Sequence, residues 1–232
     1  MNSVDINGIK TYCFSSRRAL IEHAFADKKS LIAVNAEKIL HASDKTRELF
    51  LRNIGFSDGI GAVWALKRKG FKDAVKIPGC ELWLDIIGTS YHNKTFYLVG
   101  AQQEVIDNTV AKLTREFTGI RIVNYRNGYL RDGIDHRDLI SDIIIRKPAV
   151  VFVAMGSPKQ EELIEEMQKA HPAVYLGLGG SFDVYVGAVK RAPEWWVRHN
   201  LEWAYRLVKQ PARIARQIHL VKFAWRLILG KY

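Results

Sequence analysis

Cysteine is scarce in this chain of 232 residues. The two present, Cys13 and Cys80, are isolated, so they build neither a disulfide framework nor the paired spacing of a zinc site. A reducing, cytoplasmic setting is the expectation. Long apolar runs are missing too. No uninterrupted stretch approaches the roughly 20 residues that span a bilayer, and the N-terminal MNSVDINGIK lacks the apolar segment of a signal peptide. GxGxxG and P-loop patterns are absent, which leaves a dinucleotide cofactor or ATP hydrolysis without support. The seven histidines show no HxxxH or HExxH spacing, and there is no Asp-X-Asp pair. Nothing in the sequence therefore asks for a metal or another cofactor. Internal repeats and low-complexity segments are also lacking.

What is present begins with enough apolar material for a core: 48% hydrophobic and 11% aromatic residues, against the composition of a disordered chain. The length suits one large domain, or one domain with an appendage. The formal net charge of +11 points to a polyanionic partner, whether nucleic acid, anionic lipid or a phosphorylated substrate. That charge is uneven. From residue 187 to the end, ten basic residues face two acids, Glu194 and Glu202, leaving +8 there and +3 on the first 186 residues. Four of the six tryptophans (Trp195, Trp196, Trp203, Trp225) share the basic stretch. The composition change divides the chain into a body, 1–186, and a helical appendage, 187–232.

Within the body, short β-branched runs alternate with helical patterns. SLIAVN (30–35), TFYLVG (95–100), IRIVNY (120–125), AVVFVAMG (149–156) and AVYLGLGG (173–180) read as strands. AVVFVAMG is nearly all apolar, as a central parallel strand covered on both faces should be. EVIDNTVAKLTREF reads as a helix with Val105, Val110 and Leu113 near one face. SPKQEELIEEMQKA reads as another, with Ser157 as N-cap and Pro158 in the first turn. This alternation predicts an α/β, Rossmann-like layered fold with a mostly parallel sheet. Ligands in such sheets bind at the carboxyl ends of strands. Four strand ends carry residues suited to that: Asn35, Gly100, Gly156 and the pair Gly179-Gly180. Glycine lets a backbone approach a phosphate or sugar, although each of these also serves simply to end a strand.

Three junctions carry groups able to do chemistry. Asp58, in Phe56-Ser57-Asp58-Gly59, precedes the helical IGAVWALKRKG and reads either as an N-cap or as a general base near a substrate hydroxyl. Gly156-Ser157-Pro158-Lys159-Gln160-Glu161 joins a close-approach glycine to a helix N-terminus. It reads as a phosphate or sugar cradle with Gln160 as hydrogen-bonding group, or as an ordinary helix start. Asp183, after Gly179-Gly180, reads as a ligand for ribose hydroxyls or as a turn residue.

Taken together, VNAEKIL (34–40), DGIGAV (58–63), AMGSPKQE (154–161), GGSFDVYVGAVKRAPEWW (179–196) and LEWAYRLVKQPARIARQ (201–217) resemble the WecG/TagA/CpsF glycosyltransferases. The resemblance runs from about Ile32 to the end, and NAEK, AMGSPKQE and the FDV segment look closest to the WecG branch. That branch transfers N-acetyl-D-mannosaminuronic acid from its UDP donor in enterobacterial common antigen synthesis. The resemblance implies an inverting, metal-independent transfer to GlcNAc-diphospho-undecaprenol at the cytoplasmic face of the inner membrane. It implies that Asp58 is the catalytic base, with Asn35 the strand-end asparagine beside the sugar and Gln160 the glutamine of the family's PKQE motif. Tyr129, in NGYL, and Asp183 match positions that hold the nucleotide, and Gly100 and Gly156 belong to the same strand-end set. Arg206, Arg213 and Arg216 match appendage arginines that close over the site and meet the diphosphates. The chain departs from the TagA branch at Ala33, where that branch often has Thr, and at Lys76, where it has Arg. Lysine keeps the charge but loses the bidentate fork. Lys76 and Arg191 are candidates for the donor carboxylate. A UDP-ManNAc transferase of the TagA type, making a teichoic acid linkage unit, is the alternative.

The segment PARIARQIHLVKFAWRLILG, from Pro211 to Gly230, reads as one helix. Ile214, Ile218, Val221 and Trp225 repeat at helical spacing, while Arg213, Arg216, Lys222 and Arg226 interrupt the apolar surface. Such a helix suits an anionic membrane surface, and it also suits packing on the body with Trp as core. A basic module for nucleic acid, or a non-enzymatic scaffold, is the different-class alternative. Against nucleic acid stand the absence of a helix-turn-helix, RNP or zinc-finger pattern and a tail too apolar for a simple polycation.

Overall fold

The computed structural model describes residues 2–131, 133–199, 201, 202, 204, 205, 222–227 and 229. Eight strands and ten helices alternate in the described residues: β1 (Ser3–Ile6), β2 (Ile9–Tyr12), α1 (Arg17–Asp27), β3 (Leu31–Val34), α2 (Ala36–Leu40), α3 (Asp44–Arg52), β4 (Ile54–Ser57), α4 (Ile60–Arg68), α5 (Gly79–Ser90), β5 (Thr95–Gly100), α6 (Gln103–Glu116), β6 (Arg121–Arg126), α7 (Ile134–Arg146), β7 (Val150–Ala154), α8 (Lys159–Ala170), β8 (Val174–Gly177), α9 (Ser181–Tyr185) and α10 (Glu194–Arg198). Six strands form a parallel sheet flanked by helices, in the order β4-β3-β8-β7-β5-β6. The α/β layered fold expected from the sequence is the fold of the protein.

By compactness the chain falls into two units. One is built from Met1–Ser16, Ala33–Pro78 and Lys190–Tyr232, the other from Arg17–Ile32 and Gly79–Val189. In the second unit, β5 pairs with β7 from Phe96↔Val150 to Gly100↔Ala154, and β7 with β8 from Val150↔Val174 to Val153↔Gly177. All five residues of β7 are buried, as a strand covered on both faces requires. Alternate side chains then serve opposite layers. Tyr97, Val99, Val151, Val153 and Tyr175 meet Leu139 and Ile143 of α7 and Leu163, Ile164 and Met167 of α8. On the other face the Trp83 ring of α5 packs edge-on to Phe152, 5.7 Å between centroids, and to Phe182 of α9 at 5.5 Å. In α6, Val105, Ile106, Thr109 and Leu113 are buried, so the apolar face includes two of the three residues expected, with Val110 half-buried beside it.

A polar clasp ties α7 to the sheet. The Tyr97 hydroxyl donates to Asp142 Oδ2 at 2.7 Å, Asn124 Nδ2 donates to the same oxygen at 2.6 Å, and Arg146 Nε donates to Oδ1 at 2.7 Å. Burial alone would raise the Asp142 carboxyl. The hydrogen bonds from Asn124, Tyr97 and Arg146 outweigh it and hold the group below the ordinary carboxylate range. Tyr97 moves the other way, raised by burial and by its bond to Asp142.

In the first unit, β1 and β2 form a hairpin with Ile6 opposite Ile9, closed by Asn7 and Gly8 at φ of 56° and 81°. Two positive φ values are what a two-residue turn between right-twisted strands needs, and Asn-Gly supplies them. Asn7 Nδ2 also donates to the Ile39 carbonyl at 2.6 Å, pinning the turn to the end of α2. On α4, a Cβ at Gly61 would lie 3.1 Å from Ala36 Cβ and 3.2 Å from the Phe223 ring. Phe223 and Leu227 are buried in the helical turn 222–227, whereas Trp225 is 64% exposed beside exposed Lys222 and Arg226. The packing residue of this turn is therefore Phe223, with Trp225 facing solvent. Ile214, Ile218 and Val221 lie outside the described residues.

Candidate functional site

In the second unit, the chain leaves β5 toward β6 on one side and leaves β7 toward β8 on the other. The β5 and β7 carboxyl ends therefore flank a topological switch point, where the loops diverge and leave a crevice. Glycines shape it in two ways. At Gly100 φ is +133°, and a Cβ there would stand 2.6 Å from the Ala154 carbonyl carbon and 2.7 Å from its nitrogen. Without that Cβ, Ala101 N–H reaches the Ala154 carbonyl at 3.0 Å, and Gly128 N–H reaches the Ala101 carbonyl at 2.9 Å. Three turns thus lie backbone against backbone. Gly156 and Gly179, with φ of +76° and +58°, are the opposite case: among the described residues a Cβ at either would meet nothing within 4 Å. The space beside each Cα is open, although the Gly179 N–H is already taken by Gln160 Oε1.

Gln160, in the first turn of α8, is 8% exposed. Its Oε1 accepts the Gly179 N–H at 2.9 Å, and its Nε2 points to Glu161 Oε1 at 3.4 Å. The side chain expected to meet a sugar spends its acceptor on the β8–α9 turn. The cap of α8 is Pro158, with no side-chain cap bond, so Ser157 lies outside the helix instead of capping it. The reason is local: the Pro158 carbonyl accepts the Glu161 and Glu162 N–H groups at 3.1 Å and 3.2 Å, so the first turn closes on Pro158.

Asp183 is half-buried in the first turn of α9, whose cap is Gly180. An acid there complements the helix N-terminus. Helix α9 is clasped to α6: Lys112 Nζ donates to the Tyr185 carbonyl at 2.7 Å and sits 4.2 Å above its ring, while the Tyr185 hydroxyl donates to Glu116 at 2.5 Å. Burial, and then Glu116, push the Tyr185 hydroxyl above its ordinary range. Tyr129 stands 69% exposed on the β6–α7 loop. Its N–H bonds to Asn127 Oδ1 at 2.9 Å, and Asn127 Nδ2 bonds to Gln103 at 2.8 Å. At the loop's far end Asp135 Oδ2 accepts the Arg131 N–H at 2.7 Å, the main reason its carboxyl lies below the usual range. Gly100, Gly156, Gln160, Gly179, Tyr129 and Asp183 thus all belong to turns at the carboxyl edge of this unit's strands.

In the first unit, Asp58 follows β4 and is half-buried, and its N–H bonds to the Val34 carbonyl at 3.1 Å. The cap of α4 is Gly59. Asp58 therefore stands one residue before the cap position. Asn35 follows β3 and caps α2, its Oδ1 accepting Lys38 N–H at 2.9 Å. A Cβ on Gly59 would lie 3.6 Å from Asn35 Cβ, so the two strand ends are neighbours. Lys76 is half-buried between residues tied to the same strand: Ser57 Oγ donates to the Val75 carbonyl at 2.7 Å, and Ile77 N–H to the Ser57 carbonyl at 2.7 Å. The unit therefore brings Asn35, Asp58 and Lys76 to the ends of β3 and β4.

Arg191 Nε lies 4.0 Å from Glu202 Oε1. Arg206, Arg213 and Arg216 lie outside the described residues. Among the described residues, no group of three or more His, Cys, Asp or Glu side chains is placed to hold a metal ion, and no helix is long and apolar enough to cross a membrane. Sequence reasoning passed over Gly177, which makes room for the Gln160 amide, and Asn127, which holds the Tyr129 backbone. A glycine as the last residue of an otherwise apolar strand was the available signal for the first. A family model, described as Glycosyl transferase WecG/TagA/CpsF family, matches residues 4–232.

Proposed function

Because the chain belongs to the WecG/TagA/CpsF glycosyltransferase family, we propose that it moves N-acetyl-D-mannosaminuronic acid from UDP-ManNAcA to GlcNAc-diphospho-undecaprenol. The family is one of glycosyltransferases with a nucleotide-sugar donor and a lipid-linked acceptor. The observation that carries the reading is Asp58, held at the end of β4 beside Asn35 with the cap of α4 taken by Gly59.

In this reaction Asp58 takes the proton of the attacking GlcNAc hydroxyl. Its oxygen bonds to the anomeric carbon as the bond to UDP breaks, in one displacement that inverts the centre. The electron pair leaves on the UDP phosphate. Negative charge thus develops on the diphosphate and must meet donors already in position. The open face of the Gly156 backbone supports that role, with Gly100, Tyr129 and Asp183 holding the nucleotide. Arg206, Arg213 and Arg216 supply the charge-assisted hydrogen bonds of a metal-independent mechanism. Lys76 and Arg191 are the cations offered to the uronate. The body, 1–186, carries the chemistry and the appendage, 187–232, meets the anionic inner-membrane surface as a peripheral contact. Exposed Trp225 with Lys222 and Arg226 supports that contact; each basic residue adds about 1 kcal/mol near an anionic surface.

The test supplies purified protein with GlcNAc-diphospho-lipid and either UDP-ManNAcA or UDP-ManNAc, with and without EDTA. Transfer from UDP-ManNAcA that is indifferent to EDTA is expected. Preference for UDP-ManNAc would reassign the donor, and loss of transfer in EDTA would overturn the metal-independent step. Asp58→Asn should bind UDP nearly as the wild type does and transfer nothing; undiminished turnover would remove Asp58 as the base.

A further inference from the structure

The Gln160 amide and the missing side chain of Gly177 form a matched pair. Gly177 ends β8, its φ is not positive, and alanine would suit its backbone. A Cβ there would nevertheless stand 2.5 Å from Gln160 Nε2 and 2.8 Å from Gln160 Cδ. The glycine is thus required by the neighbouring side chain. That side chain crosses from α8 to β8 and delivers Oε1 to the Gly179 N–H at 2.9 Å. Gly179 sits at φ +58° with nothing above it, two residues beyond the strand. Leu178, between them, is anchored by its own N–H to the Val153 carbonyl at 2.7 Å. The turn after β8 is therefore tied to β7 through Leu178 and to α8 through Gln160, and it is closed within itself by Ser181, whose N–H and hydroxyl both donate to the Leu178 carbonyl at 3.2 Å and 2.6 Å.

We infer that Gln160 is a positioning residue, acting through Gly179, and that Gly177 is the glycine that seats it. Gln160 at 8% exposure has its acceptor committed inside the protein. By fixing Gly179 it sets the direction of the Gly180 N–H at the start of α9 and the entry of Asp183, the Ser181 N–H being taken by the Leu178 carbonyl at 3.2 Å. The anionic ligand whose binding depends on this is the donor's diphosphate; in that respect the inference rests on the proposed transferase reading.

Gly177→Ala isolates the latch. The atoms it crowds are the far end of a flexible side chain, so the fold is kept while the amide swings off Gly179. Three variants, Gly177→Ala, Gln160→Ala and the double, would be compared with Gln160→Glu, which keeps an acceptor oxygen and loses the donor. The readouts are hydrogen exchange of the Gly179 amide by NMR, UDP affinity by calorimetry, and kcat and KM separately. A net hydrogen bond of about 1–1.5 kcal/mol corresponds to roughly tenfold. Gly177→Ala and Gln160→Ala should each expose Gly179 to exchange and raise the UDP Kd and donor KM by about that factor. The double variant should be no worse than Gln160→Ala, since removing the side chain makes room for the new methyl. Gln160→Glu should keep Gly179 protected and stay nearer the wild type in turnover. Additive losses in the double variant, or exposed Gly179 with unchanged UDP affinity, would overturn the inference. So would protected Gly179 in Gln160→Glu with turnover as low as Gln160→Ala, because the lost amide donor would then be acting on substrate directly. If the wild type fails to bind UDP at all, the transferase reading fails, while Gly179 exchange still reports whether the latch exists.

Discussion

Gly100→Ala puts a methyl group where the crevice between β5 and β7 has least room. Its Cβ would lie 2.6 Å and 2.7 Å from the carbonyl carbon and nitrogen of Ala154, closer than real Cβ contacts come. Both atoms are main chain in β7, which pairs with β5 on one side and β8 on the other. No rotamer change relieves the contact; a strand must shift. A φ of +133° adds a conformation that non-glycine residues rarely adopt, at about 1–3 kcal/mol. Overpacking adds about 1–3 kcal/mol more. The expected loss is about 4 kcal/mol, a large share of the roughly 5–15 kcal/mol that holds a domain folded. Gly119→Ala is the control: φ there is +86° but nothing lies within 4 Å, so about 1–2 kcal/mol of backbone cost is all it should pay. Urea unfolding of the two variants reads the difference as a midpoint shift at constant slope, about 1–2 M between them for a slope near 2 kcal/mol/M. Equal midpoints would refute the claim that backbone contact across β5 and β7 is what demands a glycine at 100.

The clasp at Asp142 gives a pH signature. Its folded carboxyl is held below the ordinary range, so the stability it contributes is present above about pH 4 and is lost as the pH falls through that value toward the lowered one. Asp142→Asn should remove that part of the acid slope, and Tyr97→Phe should cost about 1–2 kcal/mol at neutral pH by chemical unfolding; an unchanged acid profile in Asp142→Asn would contradict the assignment. The two aromatic residues of the turn 222–227 should separate cleanly. Phe223→Ala, at 1% exposure against Gly61, should lower stability by about 3 kcal/mol. Trp225→Ala, at 64% exposure, should leave stability within about 0.5 kcal/mol but weaken sedimentation with anionic liposomes. Unchanged sedimentation would remove Trp225 from the membrane contact.

The strands carrying the candidate site were legible because their signal is composition. TFYLVG and AVVFVAMG are mostly apolar and rich in β-branched and aromatic residues, which suits a sheet covered on both faces, and they appear as β5 and β7. The β1–β2 hairpin was equally legible in Asn7-Gly8 and went unread, since its flanking strands are short and mostly polar. Ser157 illustrates the limit of local rules. It has the right chemistry for a cap, yet the Pro158 carbonyl, one residue on, accepts the first bonds of the helix from Glu161 and Glu162.

The residue types at the site were set by sequence alone: an acid before a glycine at 58, an amide at 160, glycines at the strand ends, and a basic, Trp-bearing final stretch. Local composition also marked five of the six runs that form the sheet, β4 (Ile54–Ser57) being the one not read as a strand. What those groups do to each other was decided only in three dimensions. Whether Asp58 caps α4, whether the Gln160 oxygen is committed, why residue 177 must lack a Cβ, and whether Trp225 or Phe223 is core all depend on distances between residues far apart in the chain. Hydrogen bonds and steric contacts act over about 3 Å, and no local pattern encodes which distant atoms come that close.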